Sequence, residues 1–251
     1  MKKSLSIIAL ASSLFLTEAS ADIVRVEMGA GAWAQTPSGV TTYDAGGGIG
    51  GSNTFDENQD TSPYVWMLIK HPIPVIPNLR LEYTSIHATG EATGRWGDYT
   101  APDGSASVLD MDQFDIIPYY NILDNTFWMT VDLGLDIKVL SVDYTVEENG
   151  VFPGYEDKET IAIPMAYLRT RVEVPATNLA FEADAKYVTY DGSTVYDVRA
   201  KVDYTFESFP VVEPAIEVGY RVQKIEIDDS SVDVNSDVDF SGFYAGLMLR
   251  F

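Results

Sequence analysis

From Phe127 to Val139 the chain reads FWMTVDLGLDIKV, and apolar and polar positions alternate with a period of two. Phe127, Met129, Val131, Leu133, Leu135, Ile137 and Val139 share one face, while Trp128, Thr130, Asp132, Gly134, Asp136 and Lys138 share the other. Successive side chains of a strand point to opposite sides, so this stretch predicts a strand with one wholly apolar face. The face is longer than a soluble strand of about 5–6 residues needs. It suits a strand crossing a bilayer at a tilt, which takes about 9–11 residues.

The pattern recurs along the chain, and no stretch carries a helical stripe. Leu179, Phe181, Ala183, Ala185 and Tyr187 alternate with Glu182, Asp184 and Lys186; Tyr196, Val198, Ala200, Val202 and Tyr204 alternate with Asp197, Arg199, Lys201 and Asp203. Ten strands are expected, at 23–33, 63–71, 79–88, 108–120, 127–144, 160–173, 179–190, 194–206, 214–227 and 238–251. Pro118 and Pro164 interrupt two of them, pointing to bulges or frayed ends.

Connections after even strands are short: HPIPVIPN, NILDN, VPATN and ESFPVVE. Those after odd strands, 34–62, 89–107, 145–159, 191–193 and 228–237, are mostly longer and acidic. Short turns on one side and long loops on the other are the pattern of an outer-membrane barrel. Unpaired strand edges do not survive in hydrocarbon, so the sheet must close, with the first strand against the last. The expected fold is all-β: a closed antiparallel transmembrane barrel of ten strands with both termini on the periplasmic side. A soluble β-sandwich is the alternative, and it has no use for such long one-sided apolar faces.

The N-terminus adds a compartment. Residues 1–21, MKKSLSIIALASSLFLTEASA, have two lysines, an apolar stretch too short to span a bilayer and an Ala-Ser-Ala cleavage site. The expected organisation is a cleaved signal peptide at 1–21 and a barrel at 22–251, placed in the bacterial outer membrane among lipid and lipopolysaccharide. The formal net charge of −22 argues against nucleic acid as a partner. The absence of Cys removes disulfides, thiolate metal sites and Cys nucleophiles, and two His leave little for a His-based metal site.

Charges and aromatics then sort by parity. Inward-facing acids and bases are nearly equal in number, among them Arg169, Arg171, Glu182, Asp184, Arg199 and Lys201 as lumen-lining residues. A barrel of about eight strands is filled by its own side chains, and ten lies near that end. Buried charges must be paired, so a lumen cross-linked by ion pairs is expected, with a narrow pore for small solutes as the alternative. Phe127, Phe181, Tyr204, Phe206 and Phe251 are expected in a periplasmic aromatic girdle, and Tyr144, Tyr187 and Phe243 in an outer one. Trp128 has lumen parity and reads as an ordinary core residue.

Candidate chemistry is sparse. YDAGGGIGG, Tyr43 to Gly51, lacks the following helix and the Lys of a phosphate-binding loop, so its glycines at 46–51 read as a flexible outer loop. Asp228, Asp229 and Asp233 are weak candidates for holding a divalent cation, without EF-hand spacing. An outer-membrane hydrolase of the omptin kind would centre on His87, whose neighbourhood SIHATGEATG shows no omptin signature. A ligand-binding or adhesive barrel acting through its acidic loops is a further alternative. No catalytic or cofactor-binding pattern is present, and no cofactor is expected.

The chain ends SGFYAGLMLRF, in mid-alternation on an aromatic residue. This resembles the C-terminal signal read by the barrel-assembly machinery, with Phe251 as the terminal aromatic. Together with the opening ADIVRVEMGAGAW and the glycine-rich segment after it, the chain resembles a family of small, uncharacterised outer-membrane barrels named for a Gly-Gly motif. The resemblance implies an outer-membrane barrel with no catalytic residues to carry over. The reading is an integral outer-membrane barrel with a structural or surface-interaction role.

Overall fold

The computed structural model describes residues 24–43, 50–56, 58–73, 75–148, 150, 152–206, 211–227 and 234–251. The expected signal peptide at 1–21, Gly46, Gly47 and Gly48 of the glycine-rich stretch, and Asp228, Asp229 and Asp233 lie outside them. The strands are β1 (Arg25–Tyr43), β2 (Gly51–Phe55), β3 (Asp60–Lys70), β4 (Asn78–Trp96), β5 (Tyr99–Thr126), β6 (Met129–Glu148), β7 (Phe152–Glu173), β8 (Leu179–Tyr190), β9 (Ser193–Thr205), β10 (Glu213–Ile227) and β11 (Val234–Arg250). All strand pairings are antiparallel, and β11 pairs with β1 to close the ring. β2 pairs with the far parts of β1 and β4, and β3 with their near parts, so the two share one place and the ring has ten strands. The last residue completes the seam: the Phe251 N–H donates to the Val26 carbonyl at 2.9 Å.

The half of the barrel that holds the chain termini is here the proximal half. Its outward residues are apolar: Leu133, Leu135 and Ile137 on β6, Leu168 and Val172 on β7, Ile216 and Val218 on β10, Leu247 and Leu249 on β11. Exposed aromatics edge this belt, with Phe181, Tyr204 and Phe206 towards the terminal end and Tyr187, Tyr220 and Phe243 towards the other. Leu135 and Leu247 are 63% and 67% exposed, which only a lipid environment makes favourable over so wide a surface. An apolar exterior around a charged interior is the pattern of a transmembrane β-barrel, and of the outer-membrane kind.

Glycines on the inner face let the seam close around large rings. Gly31 faces Gly246 across β1 and β11, and a Cβ on either would meet the Tyr64 hydroxyl within 2.5 Å. The Tyr64 hydroxyl therefore reaches over the seam and donates to Glu217 at 2.8 Å.

Several expectations are corrected. The segments 34–62, 89–107 and 145–159 are mostly strand, because β1 runs on to Tyr43, β4 to Trp96 and β7 starts at Phe152. Their alternation persists with its sense reversed: Ala88, Ala92 and Trp96 face inward while His87, Thr89 and Glu91 face out. NILDN is not the turn between the fourth and fifth expected strands. β5 continues to Thr126, and Phe127-Trp128 turns with φ of 55° and 63°. Trp128 is thus an exposed turn residue rather than core. Tyr144 is buried inside the ring rather than in a girdle. Pro118 and Pro164 sit within β5 and β7, paired with Leu79 and Ile137, and the register shifts lie elsewhere, between Ala92 and Gly94, Asn121 and Thr126, and Val146 and Glu147.

Candidate functional site

Alternation turns every second side chain of the proximal half into a closed ring, and there the charges meet. Glu82 on β4 binds Arg80 at 2.6 Å, Arg199 on β9 at 2.5 Å and Lys186 on β8 at 2.6 Å. Glu182 on β8 binds Arg169 at 2.6 Å, Arg171 at 3.3 Å, Lys201 at 3.3 Å and Arg80 at 3.5 Å. Arg199 also reaches Asp184 at 2.7 Å, and Arg171 grips Asp203 with two nitrogens at 2.5 and 3.0 Å. The bonds from β4 to β8 and β9 span the ring rather than following its wall. Arg169, Arg171, Glu182, Asp184, Arg199 and Lys201 are all buried inside.

Rings add to the fill. Arg80 and Lys201 each lie over the Trp66 ring, 4.9 and 4.8 Å from its centre, and the indole N–H donates to Glu217 at 3.1 Å. Arg221 lies 4.5 Å from the Trp33 ring and pairs with Asp197 at 2.7 Å. Cations over aromatic faces are favourable where water is excluded.

Above the ions, on the distal side, is a layer of amides. Gln113 and Gln223 bond each other in both directions across the ring, at 3.2 and 3.0 Å. Gln35 at a neighbouring level donates to the His87 carbonyl at 3.0 Å. Arg221 and Lys138 each reach the Gln113 amide oxygen at 3.4 Å, so this layer joins the ionic one.

Beyond the glutamines the interior turns apolar. Leu109, Met111, Leu140, Tyr144, Ile225, Val238 and Phe240 are buried around a cavity of about 520 Å³. Tyr43, Trp96, Tyr144 and Tyr155 pack ring to ring beside it, Trp96 and Tyr144 at 5.1 Å and Trp96 and Tyr155 at 5.8 Å. The wall is uneven. The β6–β7 ladder reaches Glu148–Phe152, whereas the β7–β8 ladder stops at Ala166–Tyr187. β8 turns back at Asp191-Gly192, where φ values of 48° and 90° fit the Asp-Gly hairpin turn. Among the described residues β8 and β9 contribute nothing to the cavity's lining, and Asp157 and Glu159 of β7, which are exposed, form part of it.

His87 points outward. Its Nδ1 lies 2.6 Å from Asp110 Oδ1, with side chains 51% and 60% exposed on the convex wall of the distal half. The wall there is polar, with Asp143–Lys158 at 2.9 Å and Lys224–Asp237 at 2.7 Å. Gly51 is in β2 facing Gly94 of β4, and Gly50 bridges to Arg95. The glutamine pair and the apolar chamber were absent from the sequence reading. The signal for the chamber is the reversed parity at Leu109, Met111, Leu140 and Ile225, apolar residues on the face that carries charges elsewhere.

No family model matches the chain, and no curated protein matches it. Among solved structures it is similar to the outer-membrane protease OmpT from Escherichia coli, at 9% identity over 90% of this chain and 96% of that one, with a TM-score of 0.47. It is similar to the translocator domain of autotransporter NalP from Neisseria meningitidis, at 12% identity, 97% and 93% coverage and a TM-score of 0.46. Neisserial surface protein A matches at 14% identity, 91% and 97% coverage and a TM-score of 0.35. No residue role passes from these to this chain.

Proposed function

We propose that the protein is an integral barrel of the bacterial outer membrane, sealed across the bilayer, whose work is done by its distal half at the cell surface. The observation that carries this reading is the ion network, which fills the ring at the level of the apolar belt. A conducting pore needs a water path there, whereas the side chains of β4 meet those of β8 and β9 across the lumen. The termini then lie on the periplasmic side, and Phe251 in the closing seam is the contact for the assembly machinery. The resemblance of the two ends of the chain to the Gly-Gly family of small outer-membrane barrels supports this reading.

A hydrolase at His87 is the second reading, favoured by its short contact with Asp110. It ranks below the first because the pair stands on a convex wall, not in a cleft where substrate would be held and water excluded. The test is liposome swelling with arabinose. Reconstituted protein should swell liposomes no faster than empty ones; swelling at porin-like rates refutes the sealed barrel.

A further inference from the structure

We infer that the distal chamber is a binding site for a small apolar molecule carrying a basic amine. Protein interiors normally pack with few voids larger than a water. Here apolar side chains in the folded ring surround a cavity of about 520 Å³ instead of closing it. That volume falls within the range of small-molecule pockets, about 300–1,000 Å³. An apolar cavity stays dry or takes an apolar guest. Leu140, Ile161 and Phe240 supply apolar wall, and the bonded glutamines Gln113 and Gln223 stand two residues along their strands from the lining residues Met111 and Ile225.

The mouth selects the head group. Among the described residues, the charged side chains lining the chamber are Asp157 and Glu159, both carboxylates, on the stretch of β7 that has left β8 behind. Lys158 between them faces the exterior and is held by Asp143 at 2.9 Å and Glu156 at 3.1 Å. An amine at the rim meets these carboxylates and the faces of Tyr43 and Tyr155, which attract cations. A carboxylate ligand meets repulsion there. Hard divalent ions want six or more oxygens, which this largely apolar lining does not offer. The site needs only the chamber, so a barrel that conducts yet binds the amine refutes the sealed lumen and leaves this inference standing.

The test uses the folded barrel in lipid nanodiscs, with isothermal titration against 1-naphthylmethylamine, 1-naphthalenemethanol and 1-naphthoate and empty nanodiscs subtracted. The amine should bind about 3–10-fold more tightly than the alcohol, as expected for partly exposed charge pairs, and the acid most weakly. The Asp157→Asn/Glu159→Gln variant should remove the amine's advantage and leave the alcohol unchanged. Met111→Trp, or Val142→Trp if the first does not fold, fills the chamber and should weaken amine and alcohol alike by at least about tenfold. Heat-modifiable gel mobility reports folding of each variant. No binding above empty nanodiscs, binding that survives the filled chamber, or an unchanged order of affinities in the mouth variant overturns the assignment.

Discussion

Replacing Glu82 by Gln keeps the shape and removes one charge from the centre of the barrel. The Oε1 atom of Glu82 meets Arg80 and Arg199 at 2.6 and 2.5 Å, and Oε2 meets Lys186 at 2.6 Å. Its side chain is 3% exposed. The variant leaves three cations around a neutral amide whose NH₂ end cannot accept from them. Breaking a buried pair by removing one partner costs about 3–5 kcal/mol. In a water-filled lumen the same pairs would behave as exposed ones, worth about 0–1 kcal/mol. The two pictures differ by at least about 2 kcal/mol, or about thirtyfold in the unfolding equilibrium. Denaturant titration in detergent, followed by tryptophan fluorescence and gel mobility, separates them. Adding Lys186→Met should return about 1 kcal/mol or more, since neighbours in one network couple by about 0.5–3 kcal/mol. Recovery will be incomplete because Lys186 also serves Asp115 at 3.1 Å. Glu82→Gln within about 0.5 kcal/mol of the parent refutes the dry ionic core.

Leu133→Arg on the apolar belt should cost about 2–4 kcal/mol if it lies near the bilayer midplane, and a loss under about 0.5 kcal/mol in the same titration contradicts the belt. Lys224→Ala breaks the exposed bridge to Asp237 and should change stability by no more than about 1 kcal/mol. Phe251→Asp should lower the amount of heat-modifiable barrel in outer-membrane fractions; normal levels argue against the terminal aromatic as an assembly contact. His87→Ala should leave folding intact, and turnover of peptide, ester or lipid substrates that vanishes in this variant would promote the hydrolase reading.

Strand positions in the belt were legible because lipid demands apolar residues on one face and the pleat sets the period. Leu179–Tyr190 shows this most clearly, since its pattern and observed limits coincide. The distal strands were harder to see. Thr89-Gly90-Glu91-Ala92-Thr93 has small and polar residues that read as loop, yet it pairs with β2, and Gly90 and Ala92 turn inward. There the polar face meets water and the apolar face meets the interior, the reverse of the belt. The parity of Arg199 or Glu182 told which side each faces, but not that β4 and β8 meet across the ring. Gln113 and Gln223 are 110 positions apart, and only closure brings them together. The chamber depends on the short β8–β9 hairpin beside the tall β7, a difference in height that no single strand reveals.

In the proposed barrel, the protein's own charges close the lumen across the membrane. Single-channel recording of purified protein in planar lipid bilayers at 1 M KCl tests this closure most directly, in parallel with a variant in which Arg80, Glu82, Lys186 and Arg199 are all replaced by Ala. The parent should be silent, and discrete conductance steps should appear once these side chains no longer meet across the lumen. Discrete steps from the parent would contradict it.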